Sequence, residues 1–494
     1  MWPAAKSFIE HINAHGSRIA LSSGEQTVTY LKLLELVSER SERLRTLGAK
    51  RVALALDNGL DWVLWDLAVL NAGLVCIPLP SFFSAAQQEH VLTSASVDCY
   101  IGKDADPIQA LGFKPCAPDI ALRQIGESCA LHPGTCKITY TSGTTGNPKG
   151  VCLDIAAQMA VANSLYQASL PCNIEIHLCV LPLATLLENL AGVYAPLLAG
   201  ARIELLPMAQ IGLLGASQFE LPRFLNAINT IRPNSLILLP QLLLALVTAA
   251  ERGMPVPDSL RFIAVGGGRV SPQLLQRAEQ LGLAVFEGYG LSECASVVCL
   301  NTPLAHKSGT TGIPLGHAEV RIGADHEVQV KGPHMLGYLG EPAIADEWLG
   351  TGDLGHFDGD FLVLHGRKKN QFITAFGRNV NPEWVESELV QQLPIAQAWL
   401  YGEALPANIA VIVPRSPSIP DAELAEAINA VNLQLPDYAQ VHHWIRSAEP
   451  FSASNQLATA NGRLRRSALL SRYQSTINEL ITSEHRFGAS YEFL

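Results

Sequence analysis

Short apolar runs alternate with amphipathic stretches along most of this chain. VALAL from Val52 is followed by DWVLWDLAVLNAG, then by LVCIPL, then by a helix-like stretch that leads to VDCYIG. The same rhythm returns at ARIELL from Ala201, SLILL from Ser235, RFIAVGGG from Arg261 and LAVFEGYG from Leu283. Runs of this length, rich in Val, Ile and Leu and bounded by turn residues, read as strands. Their alternation with helical patterns predicts parallel-type sheets covered by helices. The last two strands run straight into glycines. Gly266, Gly267 and Gly268, and Gly288 and Gly290 around Tyr289, are therefore expected at strand ends, where open α/β sheets take their ligands.

After Asp353 the texture changes to short strand runs (FLVLHG, QFITAF), turn signals and the amphipathic stretch PEWVESELVQQL. Pro382 opens that helix at a favourable early position, and Trp384, Val385 and Leu389 fall at helical spacing, which assigns them to packing. A boundary is expected near Arg367 to Asn370. The predicted division is a large domain over 1–366, a connecting segment over 367–370 and a small α+β domain over 371–494. At 494 residues the chain exceeds one ordinary domain of about 100 to 200 residues. Hydrophobic residues make up 48% and charged residues only 16%, which argues for a well-buried globular protein. The net charge of -11 speaks against diffuse attraction to nucleic acid or anionic lipid, so a nucleotide partner would need locally gathered cations.

The ten cysteines all lie between Cys76 and Cys299, none in a C-x-x-C pair, and the N-terminal MWPAAKSFIEHI lacks a basic-then-apolar leader layout. A reducing, cytoplasmic setting is expected. The richest apolar stretches are broken by Pro240 or by Glu188 and Asn189, so they read as core elements rather than membrane spans. Peripheral attachment to a membrane stays open.

The run TSGTTGNPKG packs hydroxyls, glycines and one lysine into a single loop behind the strand KITY. Glycines let backbone N–H groups close on a polyphosphate, and Lys149 adds positive charge. It is not the Walker pattern, because no Gly-Lys-Ser/Thr ends it and Pro148 stands where a helix would begin. A plain surface loop is the alternative reading of this stretch taken alone.

Three further segments, GYGLSE from Gly288, TGDLG from Thr351 and GRKKNQFITAFGRNVNP from Gly366, follow the loop in order. Together the four resemble the adenylate-forming enzymes: acyl-CoA synthetases, luciferases and peptide-synthetase adenylation domains. The resemblance implies that a carboxylate attacks the α-phosphate of ATP to give an acyl-adenylate, which a thiol then attacks. Both steps need positioning and charge neutralisation. By this likeness Thr141, Ser142, Gly143, Thr144, Thr145, Gly146 and Lys149 embrace the phosphates. Glu293, after Ser292, holds Mg²⁺ with help from Thr141, a hard oxygen set suited to a phosphate-bound ion. Tyr289 stacks on adenine beside Gly266 to Gly268, while Asp353 and Arg367 reach the ribose. Lys369 marks a hinge about which a mobile C-terminal domain turns, and Gly377 faces the incoming thiol. Each position also has an ordinary structural reading, as a core tyrosine, a capping carboxylate or a turn glycine.

Two departures stand out. The family's last motif offers a lysine to the substrate carboxylate and α-phosphate, whereas LATANGRLRR puts Arg463 there, and no lysine follows Lys369. The planar guanidinium does not simply replace a compact ammonium. LPLATLLE carries Thr185 where relatives often have a histidine beside the acyl carboxylate, and its Glu188 leans towards the fatty acyl-CoA synthetase branch. An ordinary core helix with its cap is the alternative for this segment.

The expectation is an AMP-forming acid–thiol ligase that activates an apolar acid, a medium- or long-chain fatty acid, with ATP, Mg²⁺ and CoA. A phosphopantetheine-bearing acyl carrier protein is the second acceptor. A half-active or non-catalytic homologue, prompted by Arg463 and Thr185, and a phosphate-loop hydrolase are the competing classes.

Overall fold

The computed structural model describes residues 3–103, 106–141, 148–214, 218–459 and 462–486. The chain divides into two compact units, Met1–Leu364 and His365–Leu494. Among the described residues no helix is long and apolar enough to cross a membrane.

The first unit is built on two large mixed sheets. One has eight strands in the order Gly337–Tyr338, Lys149–Leu153, Lys137–Thr141, Val75–Pro78, Arg51–Ala55, Cys99–Gly102, Ile120–Leu122 and Lys114–Ala117. Its centre, from Lys137–Thr141 to Cys99–Gly102, is parallel, and its flanks are antiparallel. Val52, Ala53 and Leu54 have no exposure at all, as expected of strands covered on both faces. The helix Leu60–Ala72 buries ten residues and ends at Gly73, whose φ of +76° closes it with N–H groups on Val69 and Leu70 carbonyls.

That helix is apolar all round, the mark of a core element, yet it carries Asp66, which is 1% exposed. Asp66 Oδ1 lies 3.0 Å from Lys137 Nζ. Its Oδ2 accepts from the Tyr194 hydroxyl at 2.7 Å and from Asn189 Nδ2 at 3.0 Å, and the Cys76 thiol also points to Oδ1. Lys137 in turn donates to Asn189 Oδ1 and Tyr194. A buried charge is tolerable only when paired and hydrogen-bonded, and this network supplies both.

The second sheet has nine strands, in the order Ile313–Pro314, Ser296–Leu300, Val285–Leu291, Phe262–Val265, Ser235–Leu238, Ile176–Leu178, Arg202–Glu204, Ile19–Ser23 and Gln26–Thr29. The expected parallel strands are its middle. The sequence pattern puts Gly288 and Gly290 at a strand end, but Val285–Leu291 is one continuous strand that runs through both. Up to Glu287 it runs parallel to Phe262–Val265, and from Gly288 it pairs antiparallel with Ser296–Leu300. The glycines make that change of partner possible. A Cβ on Gly290 would fall 1.9 Å from the Ser296 carbonyl oxygen, and one on Gly288 2.9 Å from Leu300 Cδ1. A smaller four-stranded sheet follows: Glu319–Ile322, Glu327–Lys331, Trp348–Asp358 and Phe361–Arg367.

In the second unit the strands Ile395–Tyr401, Asn408–Pro414 and Val441–Arg446 form one sheet. The helices Pro382–Val390 and Asp421–Asn432 bury Val385, Leu389, Leu424 and Ile428 in one core cluster. Trp399, Val411, Phe451, Leu469 and Ile477 form another, which draws in the helix Arg466–Arg486. The stretch QFITAF, read as a strand, contributes only the two-residue strand Phe372–Ile373, paired with Asn379–Val380.

Candidate active site

The change of pairing at Gly288 puts two groups of expected site residues on one segment. Tyr289, within the strand, is 8% exposed, with its ring in a cluster that includes Val298, Cys299, Val328 and Leu362. Its hydroxyl donates to Asp353 Oδ2 at 2.7 Å. Burial, followed by the Asp353 charge, pushes the phenol well above its ordinary range, so it stays a donor. Asp353 lies on the strand Trp348–Asp358, where its N–H donates to Thr351 Oγ1, which itself donates to the Val328 carbonyl. Gly266 faces the Tyr289 strand, Val285–Leu291: a Cβ there would meet the Gly288 carbonyl at 3.4 Å. Gly267 has φ +77° and a built Cβ 2.9 Å from Leu239 Cδ2, so this bend demands glycine. Gly268 is exposed beside it.

Four residues after Tyr289, Glu293 sits in the short helical turn Ser292–Cys294. Ala295 and Ser296 then both take positive φ, 54° and 102°, a strained pair of the kind that gathers at functional sites. Glu293 Oε1 accepts from the Tyr338 hydroxyl at 2.8 Å, and the Glu293 carbonyl accepts from Met335 N–H at 2.7 Å. Tyr338 lies opposite Val151 on the strand Lys149–Leu153. Lys149 Nζ stands 4.8 Å from the Tyr338 ring centre and 2.8 Å from Glu341 Oε1. Thr141, half-buried, is opposite Lys149 across the antiparallel pair. These two strands carry the predicted phosphate loop, whose Ser142, Gly143, Thr144, Thr145 and Gly146 lie outside the described residues. As a single carboxylate, Glu293 suits a Mg²⁺ ion held mainly by phosphate and water.

Thr185 is half-buried and spends its hydroxyl on the Pro182 carbonyl at 2.7 Å, inside its own turn. Asn58 clamps that turn, donating to the Leu181 carbonyl and accepting from Leu183 N–H. Glu287, just before Gly288, is buried, and its carboxyl is pushed up to about 8 by desolvation.

The remaining candidates belong to the second unit. Arg367 N–H and Asn370 Nδ2 both donate to the Glu383 carboxylate, which ties the turn Lys368–Asn370, with exposed Lys369, to the start of the helix Pro382–Val390. Gly377 has φ +71° with open space around it and donates its N–H to the Thr374 carbonyl, as a turn glycine does. Arg463 is exposed on a short hairpin, its N–H on Thr459 Oγ1 and its carbonyl accepting from Thr459 N–H. Tyr338, Glu341 and Asn58 were not found from the sequence: an isolated tyrosine, a surface glutamate and a loop asparagine carry no spacing signal.

Residues 8–341 match the family model described as AMP-binding enzyme, and residues 369–485 match the AMP-binding enzyme C-terminal domain. The chain belongs to the AMP-binding enzyme family. The expected class, an AMP-forming acid–thiol ligase, agrees with that membership. Among curated relatives of this AMP-binding enzyme is a 2-succinylbenzoate–CoA ligase of Bacillus mycoides (strain KBAB4), 27% identical over 413 residues, covering 78% of this chain and 83% of the relative. The ligase of the same name from Bacillus subtilis (strain 168) is 26% identical over 434 residues, with 78% and 82% covered. Among solved structures, the anthranilate CoA ligase with anthranoyl-AMP superposes with a TM-score of 0.79 at 18% identity, covering 95% of this chain and 97% of that one. The o-succinylbenzoate CoA synthetase of Bacillus subtilis with its acyl-adenylate gives 0.75 at 24% identity, covering 94% and 97%. At such identities the structures establish the α/β fold with its separate C-terminal domain. The expected leaning towards fatty acyl-CoA synthetases finds no support in these relatives.

Proposed function

We propose that this AMP-binding enzyme converts a ring-bearing carboxylic acid, ATP and CoA into the acyl-CoA thioester, AMP and pyrophosphate. The acid's carboxylate oxygen attacks the α-phosphorus and pyrophosphate leaves. The thiolate of CoA then attacks the acyl carbonyl and AMP leaves. The observation that carries the reading is one short segment, 289–293, that engages Asp353 through Tyr289 and Tyr338 through Glu293, beside Lys149. A nucleoside and its phosphates need two such anchoring points a few residues apart.

In this reading Asp353 and Arg367 take the ribose hydroxyls, Tyr289 and Gly266 to Gly268 border the base, and Lys149, Thr141 and the 142–146 loop take the phosphates. Bound Mg²⁺, with Glu293 as a protein ligand, offsets phosphate charge. Residues 367–370, with Lys369, are the hinge, Gly377 faces the thiol, and Arg463 and Thr185 border the carboxylate. The preference for a ring-bearing acid over a fatty acid rests on the names of the relatives, which are succinylbenzoate ligases.

The test is pyrophosphate release with ATP, Mg²⁺ and a panel of acids, with product mass read after addition of CoA. Aromatic acids are expected to give AMP, pyrophosphate and an acyl-CoA mass. Faster turnover of long-chain fatty acids would overturn the ring preference, and ADP as product would overturn the ligase reading. Arg463 favours a second reading, a homologue impaired in the first half-reaction: nucleotide binding without pyrophosphate release on any acid would support it. Release only with a phosphopantetheinylated carrier present would move the acceptor from CoA to the carrier.

A further inference from the structure

A second group of reactive side chains closes on itself inside the first unit, apart from the residues above. His177, in the strand Ile176–Leu178, and Cys179 two residues on share one face by the period of an extended chain. Glu188 opens Glu188–Tyr194, a seven-residue π-helical segment, and such bulges frequently mark functional sites. His177 is 3% exposed, and Cys179 and Glu188 are fully buried. One donor atom from each, a ring nitrogen, a thiol sulfur and a carboxylate oxygen, lies within 4.8 Å of the other two.

Hydrogen bonding accounts for this gathering only in part. His177 Nδ1 is satisfied by Ser235 Oγ at 2.8 Å, which leaves Nε2 directed at Glu188 Oε1, 3.6 Å away. No contact of His177 Nε2 or of either Glu188 oxygen reaches full hydrogen-bond geometry, and the looser approaches of His177, the Cys179 thiol and the Leu181 backbone do not offset the desolvation that raises the Glu188 carboxyl. The next residue, Asn189, belongs to the Asp66–Lys137 network, in which buried charge is fully paired, so the contrast is local. Gly192, one turn further on, keeps the space open: a Cβ there would stand 2.6 Å from Glu188 Oε1 and 3.0 Å from His177 Nε2.

We propose that His177, Cys179 and Glu188 bind one divalent transition-metal ion, zinc by the nature of the donors, and that the ion fastens the π-helical segment to the sheet. Sulfur with imidazole selects such ions over Mg²⁺ or Ca²⁺, which take oxygen sets. Zinc bonds of about 2.0–2.1 Å to nitrogen and oxygen at a tetrahedral angle place the two donors roughly 3.4 Å apart. The observed 3.6 Å needs little adjustment. Ser235 is the outer partner that fixes the imidazole, as is usual for a metal-binding histidine. The Cys179 thiol, and Glu188 if neutral, would each give up a proton to solvent as the ion enters. Water or the Gly192 carbonyl, 3.5 Å from Cys179 Sγ, completes the coordination. Because the site is sealed, the ion is taken up during folding.

The experiment is elemental analysis of the full-length protein, refolded with zinc and dialysed against EDTA, with cobalt refolding in parallel. Expected are a stoichiometric ion and, with cobalt, a thiolate charge-transfer band in the near ultraviolet, both lost in Cys179→Ala. Metal content far below stoichiometry in the refolded wild type would overturn the site, as would undiminished metal in Cys179→Ala. If that variant does not fold, the wild-type cobalt spectrum decides: the thiolate band supports the site, and bound cobalt without it refutes the assignment.

Discussion

Tyr289 and Asp353, 64 residues apart in sequence, meet through a 2.7 Å hydrogen bond between two buried side chains. The carboxylate is thus held in place before any nucleotide arrives. Asp353→Ala should weaken AMP binding by at least about tenfold, on the order of 1.4 kcal/mol, read by calorimetric titration. Tyr289→Phe should lower the melting temperature, by the roughly 1–3 kcal/mol of a buried partner left unsatisfied, with a smaller change in AMP affinity. Unchanged affinity in Asp353→Ala would remove this residue from the site.

Lys149 pairs with Glu341 at 2.8 Å, but both side chains are 48% exposed. Such a pair contributes about 0–1 kcal/mol, so Lys149→Ala should leave thermal stability almost unchanged. Its pyrophosphate release should nevertheless fall by roughly ten- to a hundredfold if the ammonium meets developing phosphate charge. Glu341→Gln, which frees the lysine, should retain activity. Equal losses in both variants would point to the ion pair itself.

Much of this was legible in the sequence, for reasons that can be named. The doubly covered strands at Val52, Ser235 and Phe262 are continuous apolar runs, and the stretch DWVLWDLAVLNAG between two of the strand runs forms the helix Leu60–Ala72. Tyr289, Glu293 and Asp353 are singled out by the likeness of their glycine-bearing motifs to the adenylate-forming enzymes, and the structure brings Tyr289 against Asp353 and Glu293 against Tyr338. The antiparallel course after Gly288 was hidden, since strand pairing is a choice between partners distant in sequence. So were Tyr338 and Glu341, single side chains brought in by pairing with Val151, and the π-helical insertion at Glu188, which leaves the hydrophobic pattern of an ordinary core helix intact.

Glu287 gives a pH dependence with a definite sign. Its carboxyl rises from an ordinary 4.5 to about 8 in the folded chain. Between those values the folded state holds a proton that the unfolded state has released, so this group makes stability fall as pH rises and level off above 8. Glu287→Gln should remove that slope and gain most at alkaline pH, on the order of 5 kcal/mol as an upper bound. Denaturant melts from pH 5 to 9 check it; a variant curve parallel to wild type would refute the assignment.

Arg463→Lys should speed acyl-adenylate formation if the hairpin that bears it supplies the cation for the carboxylate and α-phosphate. Acid-dependent exchange of pyrophosphate into ATP isolates that half-reaction. A several-fold gain is expected, about 1 kcal/mol off the barrier. No change would place Arg463 away from the reacting atoms.

The buried pair Asp66 and Lys137 also bears on how this chain can drift. Removing one partner of such a pair costs about 3–5 kcal/mol, against a whole-protein stability of roughly 5–15 kcal/mol. A lineage carrying this core therefore has almost no viable single step away from it. The two positions should change together among descendants or not at all, with Asn189 and Tyr194 following.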